Sequence, residues 1–190
     1  MFAALAVAAT LTLNVHVAPG VPAPIVPEAL EEAAAIWRGA GLTLHWVVDA
    51  AESGCSLRVV IENAAPGASR RMLPLGWIGF DADEPTEDIH LSFNNAVTLL
   101  QDVKGADQVF RLTIAERNAL LSRALGRALA HELGHYLLGS RAHTRTGLMQ
   151  TARPATDFFD PDHGRFAIAR SQERIVASRW PKLLMAATNH

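Results

Sequence analysis

The stretch from residue 113 to residue 139 reads TIAERNALLSRALGRALAHELGHYLLG, and it predicts the longest helix of the chain. It opens with Thr113-Ile114-Ala115-Glu116, the pattern of a capping box, in which the threonine and glutamate side chains satisfy each other's backbone N–H groups. Apolar residues then recur at helical spacing as far as Leu138. Gly139 follows as a left-handed stop, because glycine adopts a positive φ without strain. We therefore expect one helix of about 25 residues.

The last turns of this predicted helix carry a motif with chemical meaning, His131-Glu132-Leu133-Gly134-His135. Two histidines four residues apart lie on one face of a helix, close enough for their ring nitrogens to share a zinc ion. Glu132 lies about 100° round the helix from His131, so its carboxylate can reach a zinc-bound water rather than the metal. The zinc lowers the pKa of that water toward about 7, while the glutamate accepts and returns the proton.

A third metal ligand is needed, because a catalytic zinc ion keeps three protein ligands and one open position. His143 is the nearest candidate, eight residues after His135 and just beyond the predicted helix end. Rival third ligands are Asp157, Asp160, Asp162, His163 and Glu173. Proximity along the chain favours His143, whereas Glu173 would need a second helix to bring it to the metal.

Composition limits the other kinds of site that the chain can hold. Of the 190 residues, 49% are hydrophobic, and the formal net charge is −2. A nearly neutral chain with scattered arginines offers no electrostatic basis for binding nucleic acid. Cys55 is the only cysteine against eight histidines, which excludes an intrachain disulfide framework and any zinc or iron–sulfur site built from several cysteines. Histidine and carboxylate would have to hold a metal here.

The rest of the sequence alternates between strand and helix patterns. Strands are expected over residues 11–17, 42–48, 56–61, 75–80 and 89–93, with 75–80 as a candidate edge strand. Further helices are expected over residues 28–39, 94–103 (capped by Asn94) and 166–179. The acidic residues 81–88 are interpreted as a turn, and residues 140–164 as an irregular stretch. No repeat or linker divides the chain, so we predict one α+β domain over residues 1–190.

The N-terminal residues 1–10 have two interpretations. Residues 1–9 are mostly apolar, and Ala6-Val7-Ala8 has the small-x-small pattern of a signal-peptidase site. No lysine or arginine precedes Arg38, however, so the positive region of an export signal is missing, and the apolar run is too short to span a bilayer. Residues 1–10 are therefore either the remnant of an export signal or the lead-in to the first strand.

The residues from His131 to His143 resemble the zinc motif of the metzincin peptidases, HExxHxxGxxH. Gly139 and His143 lie four and eight residues after His135, which is one and two residues later than in the family pattern. Gly147-Leu148-Met149 resembles the methionine turn beneath the metal in those enzymes. No tyrosine follows this turn, so the ligand of the astacin type is absent. The sequence resembles minimal bacterial peptidases of the matrixin-like or archaemetzincin-like kind.

The resemblance implies a metzincin-like (zincin) fold, with a twisted, mostly parallel sheet of four to five strands, two long helices and an irregular C-terminal subdomain ending in a helix. It implies a zinc metalloendopeptidase with one catalytic Zn²⁺ on His131, His135 and His143. Glu132 would be the general base, and Met149 would form an apolar floor beneath the metal. One strand, 75–80 or 89–93, would line the cleft and pair with the substrate backbone.

The same resemblance implies peptide or protein substrates, and we expect a monomeric state. From the charge and from the short apolar run at the N-terminus we expect no nucleic acid and no stable membrane span. Because peptidases of this type are usually exported, we expect a secreted or periplasmic protein, with a cytoplasmic one as the alternative.

Two other hypotheses remain open. The first is a non-catalytic zinc-binding module on the same scaffold, which recognises peptides through its cleft. The intact Glu132 argues against it, because binding alone has no need of that carboxylate. The second is a protein without a metal, in which the histidines of the helix have a structural role.

Overall fold

A computed structural model describes residues 9–49, 57–63 and 74–188 of the chain, and these residues form five strands and five α-helices. The strands are β1 (Ala9–Val17), β2 (Leu42–Val48), β3 (Leu57–Glu62), β4 (Gly76–Asp81) and β5 (Glu84–Ser92). The helices are α1 (Ile25–Arg38), α2 (Phe93–Lys104), α3 (Ala106–Arg111), α4 (Ile114–Leu138) and α5 (Arg170–Thr188). Cys55 and residues 1–8, which hold the candidate signal-peptidase site, lie outside the described residues.

The strands form one sheet in the order β2-β1-β3-β5-β4. Neighbouring strands run parallel except for β4, which pairs antiparallel with β5 at the edge of the sheet. In the centre, Val15 of β1 lies opposite Val59 of β3, and Val59 lies opposite Ile89 of β5. The prediction of an α+β chain with a mostly parallel sheet is confirmed, and so is the prediction that the fourth strand lies at an edge.

The core lies between the sheet and two helices. In β3, Leu57, Val59 and Ile61 are fully buried, whereas the residues that alternate with them face the other way and are less buried. Helices α1 and α4 contact each other and the sheet, so they cover its buried side. The Trp37 indole N–H donates to the carbonyl oxygen of Ala130 at 3.1 Å and links the two helices. This packing fixes α4 against the sheet.

The helix α4 is the element that the sequence predicts best. Thr113 accepts a hydrogen bond from the Glu116 backbone N–H, and the Glu116 carboxylate accepts one from the Thr113 backbone N–H, which completes the capping box. The helix has 25 residues, and Gly139 ends it in the left-handed conformation with φ +59°. Both predicted ends are therefore confirmed.

Several other predicted boundaries are wrong. Residues 81–88 are not one turn, because β5 already begins at Glu84 and extends antiparallel to β4. The N-cap of α2 is Ser92, whose hydroxyl accepts from the Asn95 backbone N–H, and not Asn94. The final helix begins at Arg170, four residues later than predicted, and continues beyond residue 179 as far as Thr188. Pairing with β4, which the local pattern does not encode, sets the start of β5.

Two smaller differences concern helix starts. Helix α1 begins at Ile25, three residues before the predicted start, because Pro27 fits within a first helical turn. The sequence gives no prediction for α3, a helix of six residues. Among the described residues, none of the helices combines the length and the apolar character that crossing a membrane requires.

Candidate metal centre

The structure brings three predicted ligands together at the end of α4. His131 and His135 lie one turn apart on the helix, with ring centroids 4.9 Å apart. His143 comes from the segment after the helix, and its ring centroid lies 4.8 Å from that of His135. Each of the three histidines offers a ring nitrogen, and these nitrogens all lie within 4.8 Å of one another. They are close enough to bind one metal ion.

The end of α4 explains how His143 reaches the helical pair. After Gly139 the Ser140 backbone N–H donates to the carbonyl oxygen of His135 at 3.2 Å, so the chain folds back over the last turn. The Ser140 hydroxyl then accepts from the Ala142 backbone N–H at 3.1 Å. The turn is two residues longer than in the metzincin pattern, yet it places His143 beside His131 and His135.

Backbone carbonyl groups orient the two helical imidazoles. The Nδ1 atom of His131 lies 2.8 Å from the carbonyl oxygen of Leu148, and that of His135 lies 2.7 Å from the carbonyl oxygen of Ser140. A carbonyl oxygen only accepts, so each Nδ1 carries the proton and each Nε2 keeps its lone pair in the neutral ring. The Nε2 atoms of His131 and His143 lie 3.3 Å apart. A proton on Nδ1 is the tautomer that a metal bound at Nε2 requires.

The electrostatics of the cluster favour neutral imidazoles. The pKa of His131 is lowered to about 4, mainly by burial and in smaller part by the nearby His135 and His143, against a rise from the Leu148 hydrogen bond. Burial also lowers the pKa of His135 and of His143. Because only a neutral imidazole has a lone pair to give, the site presents ligands in their binding form near neutral pH.

Glu132 lies beside the histidines, between α4 and the edge strand β4. It is buried, and this burial raises the pKa of its carboxyl group to about 8, against a hydrogen bond from the Ile78 backbone that lowers it. Gly76 leaves room for this side chain, since a Cβ there would lie 3.0 Å from Cγ of Glu132. The carboxyl group is thus held against the strand that borders the site.

Two cavities flank the cluster, and both are lined by His131, Glu132 and His143. One, of about 440 Å³, lies along β4 and is also bordered by Phe80 and Arg141. The other, of about 330 Å³, extends between α2, α4 and the C-terminal segment and has both polar and apolar walls. His131, Glu132 and His143 therefore border both an open cleft and a side cavity.

The segment around Met149 packs against α4 next to the candidate metal ligands. Leu148 and Met149 are buried, and Gly147 has φ +78° with the carbonyl oxygen of Ala167 2.7 Å from where its Cβ would be. The Arg153 guanidinium donates to the carbonyl oxygen of Gly147 at 2.6 Å. The sequence identified Met149 but not Arg153, because a contact to a backbone carbonyl leaves no pattern in the sequence.

Arg127 is a buried arginine that the sequence analysis does not identify. Arg127 has no exposed surface; its Nε donates to Glu32 of α1 at 2.7 Å, and its Nη1 donates to the carbonyl oxygen of Asp157. Arg127 and Arg153 both contact the ring of Phe166, with distances of 4.9 Å and 3.7 Å from guanidinium carbon to ring centroid. Helix α4 also carries Arg117 and Arg123, so an arginine in this helix does not by itself mark the buried one.

The five alternative candidates for the third metal ligand lie outside the histidine cluster. Asp157 is 3.8 Å from both Arg153 and Arg165, and the Asp160 and Asp162 carboxylates accept backbone N–H groups of their own turn. His163 lies 4.0 Å from Glu32, and Glu173 borders a separate cavity. Within residues 9–49, 57–63 and 74–188, the group of His131, His135 and His143 is the one with metal-binding geometry.

No protein-family model matches this chain, and no curated protein sequence has significant similarity to it. Its function is therefore inferred from the chemistry of the site.

Proposed function

We propose that this protein is a zinc-dependent metallopeptidase with His131, His135 and His143 as the metal ligands. The observation that carries the proposal is the convergence of three neutral imidazoles next to the buried carboxyl group of Glu132. Two nitrogens bound to one tetrahedral zinc at about 2.0–2.1 Å lie roughly 3.3 Å apart. The Nε2 atoms of His131 and His143 have this separation, 3.3 Å.

The donor set favours zinc among the common metal ions. Three imidazole nitrogens without a thiolate, and with a fourth position facing a cleft, are typical of a catalytic rather than a structural zinc site. Calcium and magnesium prefer oxygen ligands, and here the single carboxyl group at the cluster belongs to the adjacent Glu132. A zinc ion held there supplies a Lewis acid, which lowers the pKa of a coordinated water to about 7 and polarises a peptide carbonyl.

Glu132 is the proton carrier in this proposal. Its carboxylate takes a proton from the attacking water on an Oε atom and returns it to the leaving nitrogen. Without a metal, burial against β4 raises the pKa of this carboxyl group to about 8, so the carboxyl group is mostly protonated near neutral pH. The positive charge of a zinc ion bound to the three histidines would lower that pKa and favour the ionised carboxylate, which is the form that accepts a proton.

The edge strand β4 would align the substrate. It is the last strand of the sheet, so its outer row of backbone groups is not paired with another strand of the described chain. A peptide can add to such an edge by backbone hydrogen bonds, independently of its side chains. The peptide bond would then lie over Gly76 and Ile78, beside Glu132.

The proposal extends to a metzincin-like scaffold. This scaffold is supported by the order of elements and by a long helix that ends in a glycine between the second and third histidines. It is also supported by the turn at Gly147-Leu148-Met149, in which the Leu148 carbonyl accepts from His131. The two extra residues before His143 distinguish this site from the usual pattern, and its geometry accommodates them.

The test combines metal content with turnover. Protein purified without chelators should contain about one equivalent of zinc by elemental analysis and should cleave peptides from a broad library in a zinc-dependent way. Glu132→Gln should retain the zinc and lose nearly all hydrolysis. Glu173→Gln is the matched control: this residue lies away from the histidines, so the variant should retain both.

Each alternative hypothesis has its own outcome. A zinc content well below half an equivalent, even after zinc is supplied, would favour the protein without a metal. In that case His143 donates a hydrogen bond to His131 across the 3.3 Å between their Nε2 atoms. Full zinc content with peptide binding and no cleavage would favour the recognition module. Undiminished cleavage by Glu132→Gln would contradict the mechanism.

A further inference from the structure

Arg141 crosses the open cleft and forms part of its wall. It belongs to the segment between His135 and His143, which is longer than the metzincin pattern requires. Its Nη2 donates to the carbonyl oxygen of Ala82, in the turn between β4 and β5, at 2.6 Å. Its guanidinium carbon lies 4.6 Å above the ring of Phe80, and that ring in turn lies edge-on to His135 at 6.2 Å. The guanidinium is therefore held in a fixed place next to the candidate metal centre.

The charge of this guanidinium has no carboxylate partner among the described residues. The two other arginines near the site differ: Arg127 pairs with Glu32 at 2.7 Å, and Arg153 lies 3.8 Å from Asp157. Arg141 uses one N–H group for Ala82, and a guanidinium has five. Its remaining donors and its full positive charge are therefore available at the cleft.

We propose that Arg141 recognises a carboxylate of the peptide substrate. A planar guanidinium held in place by stacking binds a carboxylate through two parallel hydrogen bonds, with little further loss of side-chain freedom. The proposal rests on the proposed peptidase function, and it narrows the substrates to peptides that carry an acidic group on the Phe80 side of the site.

The distance along β4 limits where that group lies. Ile78 and Gly76 contact Glu132, whereas Phe80 contacts Arg141, which is a separation of two to four residues along the strand. At about 3.4 Å per residue this is roughly 7 to 14 Å. A peptide extended along β4 would therefore place its carboxylate two to four residues from the scissile bond. This group is either an aspartate or glutamate side chain or the C-terminal carboxylate of a short peptide.

The experiment measures peptide binding without turnover, on zinc-loaded Glu132→Gln protein. The probes are fluorescent octapeptides of alanine and leucine that carry one aspartate at successive positions, each with an asparagine counterpart, and each made with a free or an amidated C-terminus. At one position the aspartate peptide should bind about tenfold more tightly than the asparagine peptide. Adding Arg141→Met should remove this preference, and Arg141→Lys should restore part of it. The control is Arg145→Met, two residues after His143 and outside the cavity along β4, and it should keep the full preference.

The outcomes separate this proposal from the one on which it rests. A preference that depends on the C-terminal group and not on the aspartate identifies the C-terminal carboxylate as the source. Equal affinity for acidic and neutral peptides, or a preference that survives Arg141→Met, would overturn the role of Arg141 in substrate recognition. Arg141 would then have only its hydrogen bond to the Ala82 carbonyl. If no peptide binds at all, the proposed function fails together with it. The asparagine peptides report the integrity of the cleft, since their affinity should be the same with and without Arg141.

Discussion

The thioether of Met149 lies against the backbone of Gly134, between the two histidines of α4 in sequence. A methyl group added at Gly134 would overlap the sulfur atom and would lie 3.1 Å from the Met149 Cε. Met149 is 1% exposed, so it cannot turn outward without leaving the core. Gly134 thus allows the turn that contains Met149 to approach the helix. The Leu148 carbonyl of that turn orients His131.

Gly134→Ala should therefore lower the stability of the protein. Alanine is the better helix former by about 0.5–1 kcal/mol. Overpacking against Met149 should exceed this gain, with a net loss of about 1–3 kcal/mol in the free energy of unfolding. Urea denaturation followed by circular dichroism measures the change.

The double variant provides the control for this contact. Met149→Ala alone should cost about 2–5 kcal/mol through the cavity that it leaves. Gly134→Ala combined with Met149→Ala should cost clearly less than the sum of the two, because the new methyl group then occupies the vacated space. Additive losses would show that Gly134 and Met149 do not constrain each other.

The capping box of α4 leads to a second prediction. Thr113→Ala removes the hydroxyl that accepts from the Glu116 backbone N–H at 3.2 Å, so it should cost about 1 kcal/mol in urea denaturation. Thr98→Ala is the control, because the Thr98 hydroxyl only donates to a carbonyl inside α2. That variant should be neutral or slightly more stable. Equal losses in the two variants would indicate that the cap contributes nothing specific.

The charge of Glu116 adds a pH dependence to the same cap. Hydrogen bonds from the Thr113 backbone and hydroxyl lower the pKa of Glu116 below its usual value of 4.5. A carboxylate whose pKa is lower in the folded state contributes stability above the unfolded pKa and loses it as the pH falls through the folded pKa. Wild type should therefore be more stable than Glu116→Gln at pH 7, and the difference should shrink below about pH 4.5. A difference that stays constant between pH 7 and pH 3 would contradict this.

The elements that the sequence predicts well are those whose ends are coded locally. The limits of α4 follow from Thr113, Glu116 and Gly139, each of which acts on its own turn of the chain. The strand β2 has the predicted limits, and apolar and polar residues alternate over its first part, from Leu42 to His45. The start of β5 is different: Glu84 and Pro85 have little strand propensity, and they are extended because they pair with Asp81 and Phe80 across the edge of the sheet.

The candidate site divides in the same way. The spacing of His131, Glu132 and His135 follows from helical geometry, so the sequence predicts their common location. The position of His143 depends on the turn at Gly139 and Ser140, and here proximity along the chain was a sufficient guide. The contacts that hold the site are made to backbone carbonyl groups, as from Arg153, and no residue pattern marks a carbonyl.

Arg127 supports a third prediction. It is fully buried, and the Glu32 carboxylate that it contacts is 16% exposed, so this pair joins α1 to α4 with little help from solvent. Arg127→Met should cost about 3–5 kcal/mol, because it leaves Glu32 largely buried without its partner. Arg38→Met is the control: its ion pair with Glu31 is exposed and should be worth at most about 1 kcal/mol.

A second variant separates the lost charge partner from the lost packing. Replacing both Arg127 and Glu32 with methionine removes the charges together, so the double variant should be more stable than Arg127→Met alone. Chemical denaturation at neutral pH compares the three proteins. If the double variant is the least stable, the buried ion pair is not what makes Arg127→Met costly.

The fourth prediction concerns the candidate metal centre and uses stability instead of turnover. A ligand that binds only the folded state stabilises it by about 2.7 kcal/mol at a free concentration of 100 times its Kd. For a chain of this length that corresponds to a rise of roughly 5–10 °C in Tm. Zinc should raise the Tm of the wild type by this amount, and a chelator should reverse it. His143→Ala should lose most of the rise, since it removes one of the three ring nitrogens that lie within 4.8 Å of one another. His163→Ala should keep it, because His163 lies beside Glu32 and outside that cluster. A Tm that zinc leaves unchanged, or an equal rise in His143→Ala, would contradict the assignment of His143 as a ligand.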